Sequence, residues 1–179
     1  MFSPENAILL VIDIQGKLAH LMHERNELFR HVSRLIQAAY ILDVPIIITE
    51  QAPEKIGKTI PEITDVLKDY QPIPKTSFSC CGENQFIQKL ESYHRKQIIV
   101  TGIESHVCVY QTVCDLLRMK YDAQVVGDAV SSRTLANKLF ALDRIKAAEG
   151  SITSTEMIIC ELLKTSKHPK FKDIMGLLK

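Results

Sequence analysis

Apolar residues recur along the chain in two rhythms. Four short runs, residues 7–14, 44–49, 97–101 and 123–126, are largely continuous and rich in Ile and Val. An uninterrupted apolar run of that length reads as a strand covered on both faces. Between the runs, apolar positions step by three and four. Leu28, Val32, Leu35, Ile36, Ala39 and Leu42 form one helical stripe, closed by Asp43 and Pro45. Val107, Tyr110, Val113, Cys114 and Leu117 form a second. Leu135, Leu139, Leu142, Ile145 and Ala148 form a third, ending at Gly150, a good helix C-cap residue. Residues 151–153 read as a short strand, and Thr153-Ser154-Thr155-Glu156 has capping-box spacing that opens a helix to about residue 164. A last stripe, Phe171, Ile174, Met175 and Leu178, is expected to dock on the domain.

Strands alternating with helices imply right-handed βαβ units and a parallel sheet. With no repeat, low-complexity tract or linker, residues 1–179 read as one α/β domain. Ligands in such sheets bind beyond the carboxyl ends of the strands. Asp13, residues 49–53 and residues 102–108 occupy those places. Neither the glycine-rich dinucleotide fingerprint nor the phosphate-loop motif is found there.

Composition then works by exclusion. Lys and Arg number 22 against 21 Asp and Glu, a net charge of +1, so the basic face that nucleic acid requires is not expected. The 46% hydrophobic content excludes a disordered or collagen-like chain. Five cysteines are an odd count and two of them, Cys80 and Cys81, are adjacent, which points to a reducing compartment rather than a disulfide framework. No run approaches membrane-spanning length, and the N-terminus lacks signal-peptide character, so a cytoplasmic protein with no membrane partner is expected.

Three residues are candidates for chemistry. Cys108 follows a strand and a glycine and opens a helix, where the macrodipole favours a thiolate and unpaired N–H groups can hold an oxyanion. Its alternative role is a small buried hydrophobe. Asp13 ends an apolar strand, where desolvation suits a general base and helix capping is the alternative. Lys75 lies in a turn-like segment with Pro72 and Pro74, and could as well be a solvated surface charge.

Together these residues resemble a known family. Asp13-Ile14-Gln15, Pro74-Lys75-Thr76-Ser77-Phe78-Ser79 and Gly102-Ile103-Glu104-Ser105-His106-Val107-Cys108-Val109 look like the three signatures of the isochorismatase-like cysteine hydrolases. Thr49-Glu50-Gln51-Ala52-Pro53 and Gly127-Asp128-Ala129-Val130-Ser131-Ser132-Arg133 match as well, in the family's order. The resemblance implies a Rossmann-like three-layer α/β/α domain with a mostly parallel sheet of about six strands. It implies an Asp13–Lys75–Cys108 triad that hydrolyses a small amide-like C–N bond through a thioester. It also implies an oxyanion hole from the backbone N–H groups of Glu104 and Cys108, and a cis peptide between Ile103 and Glu104.

Two departures narrow this. Relatives that hydrolyse nicotinamide carry a metal-binding D-x-H pattern where this chain has Thr49-Glu50-Gln51, and no other cluster replaces it. No metal and no cofactor are therefore expected, and His20 and His23 read as surface. Relatives acting on the vinyl ether of isochorismate lack the cysteine that stands here at 108. Gln51, Phe78 and Tyr110 are candidate pocket walls, with simple packing as the alternative. Cys80 and Cys81 are placed near the site mouth as bystander thiols, and Cys114 and Cys160 in the core. His106 faces a subunit interface or the pocket, and Arg133 and Asp128 are a candidate ion pair.

Two other function classes compete: a catalytically silent scaffold that keeps the fold, and an RNA-acting protein, since some short relatives have been described as ribonuclease-like. The intact triad counts against the first, and the balanced charge against the second. A short chain with few insertions leaves little to close a pocket, so a homo-oligomer is expected, with residues 171–178 a candidate contact. The partner otherwise expected is a small-molecule substrate, and no nucleic acid.

Overall fold

The computed structural model describes residues 1–179. Its first strand, β1 (Ala7–Ile12), is buried at every residue, as an unbroken apolar run requires. A short helix α1 (Gly16–Ala19) and the long α2 (Arg25–Ile41) lead to β2 (Ile46–Gln51). Two one-turn helices, α3 (Pro53–Ile56) and α4 (Pro61–Thr64), precede β3 (Ile73–Lys75). Then come α5 (Asn84–Ser92), β4 (Gln97–Ile103), α6 (Tyr110–Arg118), β5 (Asp122–Ser131) and α7 (Leu135–Ala147). The chain ends with β6 (Ser151–Thr153), α8 (Thr155–Leu163) and α9 (Phe171–Leu178).

The six strands form one sheet in the order β3-β2-β1-β4-β5-β6, and every pairing is parallel. The chain builds outward from β1 to β3, then returns to β4 and builds the other way. The switch lies between β1 and β4, where a crevice opens at the strands' carboxyl ends. Side chains alternate across the sheet with period two. Leu9 and Val11 pack with α2, α8 and α9 on one face, while Ile8, Leu10 and Ile12 pack with Phe86, Val113, Leu116 and Ile145 on the other. The three-layer domain is thus present, with a wholly parallel sheet.

The differences from the sequence reading are local. β3 was hidden in a segment that reads as a turn; as an edge strand it pairs on one side only, which is why Pro74 is tolerated. β5 runs on past residue 126 to Ser131, and α5, with only Phe86 and Leu90 buried, carries too short a stripe to be seen. The residue past α7 in the left-handed region is Glu149, not Gly150, whose N–H instead bonds the Ile145 carbonyl at 2.9 Å. Ser154, one residue later than expected, caps α8 by accepting from the Met157 N–H. Leu135 and Leu139 of the third stripe are exposed, because nothing in this chain covers that side of α7. The 171–178 stripe is spent within the chain: Ile174 is fully buried against the α2 and α8 layer. No helix is long and apolar enough to cross a membrane.

Gly102 sets the distance between the two central strands beside the crevice. Its φ is +114°, and a Cβ there would lie 2.1 Å from the Ile12 carbonyl oxygen. Neither strand can retreat, since both are paired on both sides. Gly102→Ala is expected to cost more than about 3 kcal/mol, measurable as a fall in the urea unfolding midpoint. A loss below about 1 kcal/mol would show that the sheet gives way more easily than this packing implies.

Candidate active site

Four strand ends converge on the crevice. Asp13 directly follows β1 and turns the chain with φ +52°, its N–H donating to the Thr49 carbonyl at 3.2 Å. Thr49 and Gln51 stand at the end of β2, and Lys75 is the last residue of β3. Ile103 and Glu104 end β4 through a cis peptide bond, and the helical turn Ser105–Val109 carries Cys108. The structure therefore gathers Asp13, Lys75 and Cys108 at one place from three separate parts of the chain.

Lys75 Nζ lies 2.7 Å from Asp13 Oδ2, with both side chains buried. The ammonium also donates to Gln51 Oε1 at 2.7 Å and to the carbonyls of Phe78 and Ser77 at 3.0 and 3.1 Å. Gln51 is itself braced: its Nε2 donates to the Thr76 carbonyl, and its backbone exchanges hydrogen bonds with the Gln15 side chain. Asp13 Oδ1 accepts from the Thr49 hydroxyl at 2.7 Å.

Burial raises the Asp13 pKa above the usual carboxylate value, although Lys75 and Thr49 act in the opposite sense. Burial alone would lower the Lys75 pKa and is the largest single influence, but Asp13, Cys108 and Cys80 together outweigh it and the ammonium titrates above its ordinary range. The Cys108 thiol is pushed up to about 12, first by burial and then by the Asp13 charge, with Lys75 opposing. The helix N-terminus favours a thiolate, whereas desolvation and the neighbouring carboxylate act in the opposite sense.

Cys108 and Asp13 open into a cavity of about 360 Å³. Leu18, Ile56, Phe78, Ile103 and Val107 form its apolar walls, and Gln15, Gln51, Glu104 and Arg133 supply polar groups. Tyr110 lies outside it, its hydroxyl accepting from Arg144 at 2.8 Å. Arg133 pairs with Glu104 at 2.6 Å rather than with Asp128, which instead caps α8 through the N–H and hydroxyl of Thr155. His106 faces Ser132 Oγ at 3.0 Å and the Glu104 carboxylate at 3.4 Å. The carbonyl of Glu104 accepts from the N–H groups of Val107 and Val109, on either side of Cys108.

The other cysteines are redistributed. Cys80 lies behind the site, its Sγ 3.7 Å from the Thr49 hydroxyl, and not at the mouth. Cys81 is half-buried next to Ser79, whose hydroxyl accepts from its N–H. Cys114 is half-buried, and Cys160 is exposed because Ile158, Ile159, Leu162 and Leu163 take the inward face of α8. Glu50, between Thr49 and Gln51, points the other way, where Thr59 and the Tyr70 hydroxyl bond its carboxylate. No group of three His, Cys, Asp or Glu side chains is arranged to hold a metal ion. Sequence reasoning missed Thr49 and Gln15, although strand register, with Thr49 opposite Ile12, would have placed Thr49 beside Asp13.

The isochorismatase domain model matches residues 7–157. Isochorismatase domain-containing protein 2 of Danio rerio is 35% identical over 176 residues, spanning 98% of this chain and 88% of that protein. Among solved structures, MAR1 ribonuclease from Caenorhabditis elegans superposes with a TM-score of 0.93 at 39% identity, covering 99% of this chain and 91% of that one. The YcaC gene product of Escherichia coli, described as an octameric hydrolase of unknown specificity, shares the fold with a TM-score of 0.88 at 22% identity, covering 98% and 94%.

Burial of the thiols links stability to alkaline pH. Cys80, Cys81 and Cys108 all rise from 9.0 to about 12 on folding. A raised pKa means the folded state holds the proton more tightly, so its contribution is complete below pH 9 and is lost as pH climbs towards 12. We expect unfolding free energy to be level near neutrality and to fall above pH 9, by about 1.4 kcal/mol per pH unit for each thiol. Urea titrations of a Cys80→Ala, Cys81→Ala variant should fall less steeply; an unchanged slope would assign the alkaline loss to other groups.

Proposed function

The chain belongs to the isochorismatase family of hydrolases, and from that premise we propose that it hydrolyses a small amide-like C–N bond with Cys108 as nucleophile. The observation that carries this reading is the buried Asp13–Lys75 ion pair, with Asp13 beside the Cys108 thiol at the wall of a cavity. In the proposed reaction the Cys108 S–H bond breaks, its proton passes to Asp13, and the sulfur pair forms the bond to the substrate carbonyl. Lys75 then neutralises the sulfur in place of the carboxylate. Backbone N–H groups of Glu104 and Cys108 receive the developing oxyanion.

Collapse of the tetrahedral species breaks the C–N bond, and Asp13 returns its proton to the departing amine. A water molecule, deprotonated by Asp13, then opens the thioester and restores the thiol. A base whose pKa is raised by burial suits both directions of this transfer. The cavity is at the small end of ligand sites, which fits a compact substrate with an apolar portion against Phe78, Val107 and Leu18.

The C. elegans neighbour described as a ribonuclease supports a second reading, RNA cleavage. Balanced charge and a cavity of only about 360 Å³ with several apolar walls favour the first, since strand binding uses a basic groove with stacking aromatics. The free thiols fit a reducing compartment such as the cytoplasm. A homo-oligomer also belongs to this proposal: Leu135, Leu139 and Phe140 leave one side of α7 apolar and exposed. Sedimentation at micromolar concentration should then give more than a monomer.

The test of the reaction is a screen of small amides and ureides with ammonia release as readout. A substrate found this way should lose about 10³-fold or more in turnover with Cys108→Ala. Full turnover by that variant would sink the mechanism. Cysteine-independent cleavage of RNA, with no amide turned over, would install the ribonuclease reading instead.

A further inference from the structure

The two oxygens of Asp13 are not equivalent. Oδ1 accepts a hydrogen bond from the Thr49 hydroxyl at 2.7 Å. Oδ2 lies 2.7 Å from Lys75 Nζ, yet the ammonium sits outside hydrogen-bond angles, and this buried oxygen has no aligned donor. One oxygen is thus occupied by a directional donor and the other keeps an open lone pair.

What holds the Thr49 hydroxyl in that sense is a second buried group. Cys80 Sγ lies 3.7 Å from Thr49 Oγ1, oriented to donate, and neither residue has solvent access. A thiol with its pKa near 12 remains a donor throughout the neutral range. Cys80 is itself fixed, because its N–H donates to Thr112 Oγ1 at 3.0 Å. A hydroxyl has one proton and two lone pairs. Receiving from Cys80, Thr49 turns its single proton to Asp13. Reversing it would set the Thr49 O–H proton against the Cys80 S–H proton and leave the Asp13 carboxylate without its hydroxyl donor.

We propose that Thr49, held by Cys80, is a positioning residue that reserves Oδ1 of Asp13 and so directs the Cys108 proton onto Oδ2. In that step the S–H bond breaks, an O–H bond forms at Oδ2, and the electron pair stays on sulfur for attack. The inference rests on Asp13 being the base for Cys108, and its test reports on the two separately.

Iodoacetamide alkylation of Cys108, followed at its own peptide by mass spectrometry across pH, needs no substrate. Thr49→Val keeps the shape of the side chain but removes the donor to the charged carboxylate. It should move the low-pH limb upward by on the order of one pH unit. Thr49→Ser should restore the wild-type limb. Cys80→Ala should shift it the same way by less, and the double variant should match Thr49→Val alone, because Cys80 acts only through Thr49.

A limb unmoved by Thr49→Val, or shifts that add in the double variant, would overturn the proposal and leave both residues with packing roles. Asp13→Asn separates the parent reading: if the low-pH limb survives that change, Asp13 is not the base at all.

Discussion

The ion pair between Lys75 and Asp13 is the interaction on which the rest of the site depends. Taking both charges out of water is costly, and their attraction alone does not offset the desolvation unless the remaining donors and acceptors are also satisfied. The surroundings meet that demand at every group of the pair except Asp13 Oδ2, which faces the ammonium without an aligned donor. Lys75 has Gln51, Ser77 and Phe78 around its ammonium, and Asp13 has Thr49 on its free side. Each of these groups comes from a strand end or the turn after it. A parallel sheet brings such ends together at the switch between β1 and β4, so topology and charge compensation require one another.

The same arrangement acts on the Cys108 thiol. A thiol beside a bare lysine would lose its proton, and one beside a bare carboxylate would keep it. At Cys108 burial is the largest influence and the Asp13 charge adds to it, both favouring the thiol, while Lys75 opposes them. In the proposed reaction the Cys108 thiol gives its proton to Asp13, and Lys75 follows the negative charge from oxygen to sulfur. In that proposed step little charge has to be solvated anew, which is the advantage of a prearranged, water-poor site.

How far these features can be read from the chain depends on their range. β1, β2, β4 and the stripe on α2 are legible because each is a long apolar pattern with a single physical meaning: all six positions of that stripe, from Leu28 to Leu42, are buried. β3 is not, since three residues containing Pro74 make no pattern, and pairing with β2 alone makes them a strand. Asp13, Lys75 and Cys108 stand out only as an ordered set. Tyr110 shows the limit from the other side: it follows the Cys108 turn, but helix geometry swings it away towards Arg144. The rise of the Cys108 pKa is illegible for the same reason, because the dipole is local while burial and the Asp13 charge arise only on folding.

Strand alternation explains what the Thr49-Glu50-Gln51 segment does in place of the metal pattern that some relatives carry there. Thr49 and Gln51 share the face that meets the ion pair, one on the carboxylate and one on the ammonium. Glu50 faces away and spends its charge on Thr59 and Tyr70, pinning the loop that returns over the crevice. Moving the carboxylate one position either way would set a second buried anion beside Asp13 or pull a neutral brace off Lys75. Either change would unbalance the one pair of charges that the sheet has gathered, so the neutral–acidic–neutral order of these three residues follows from the pair they serve.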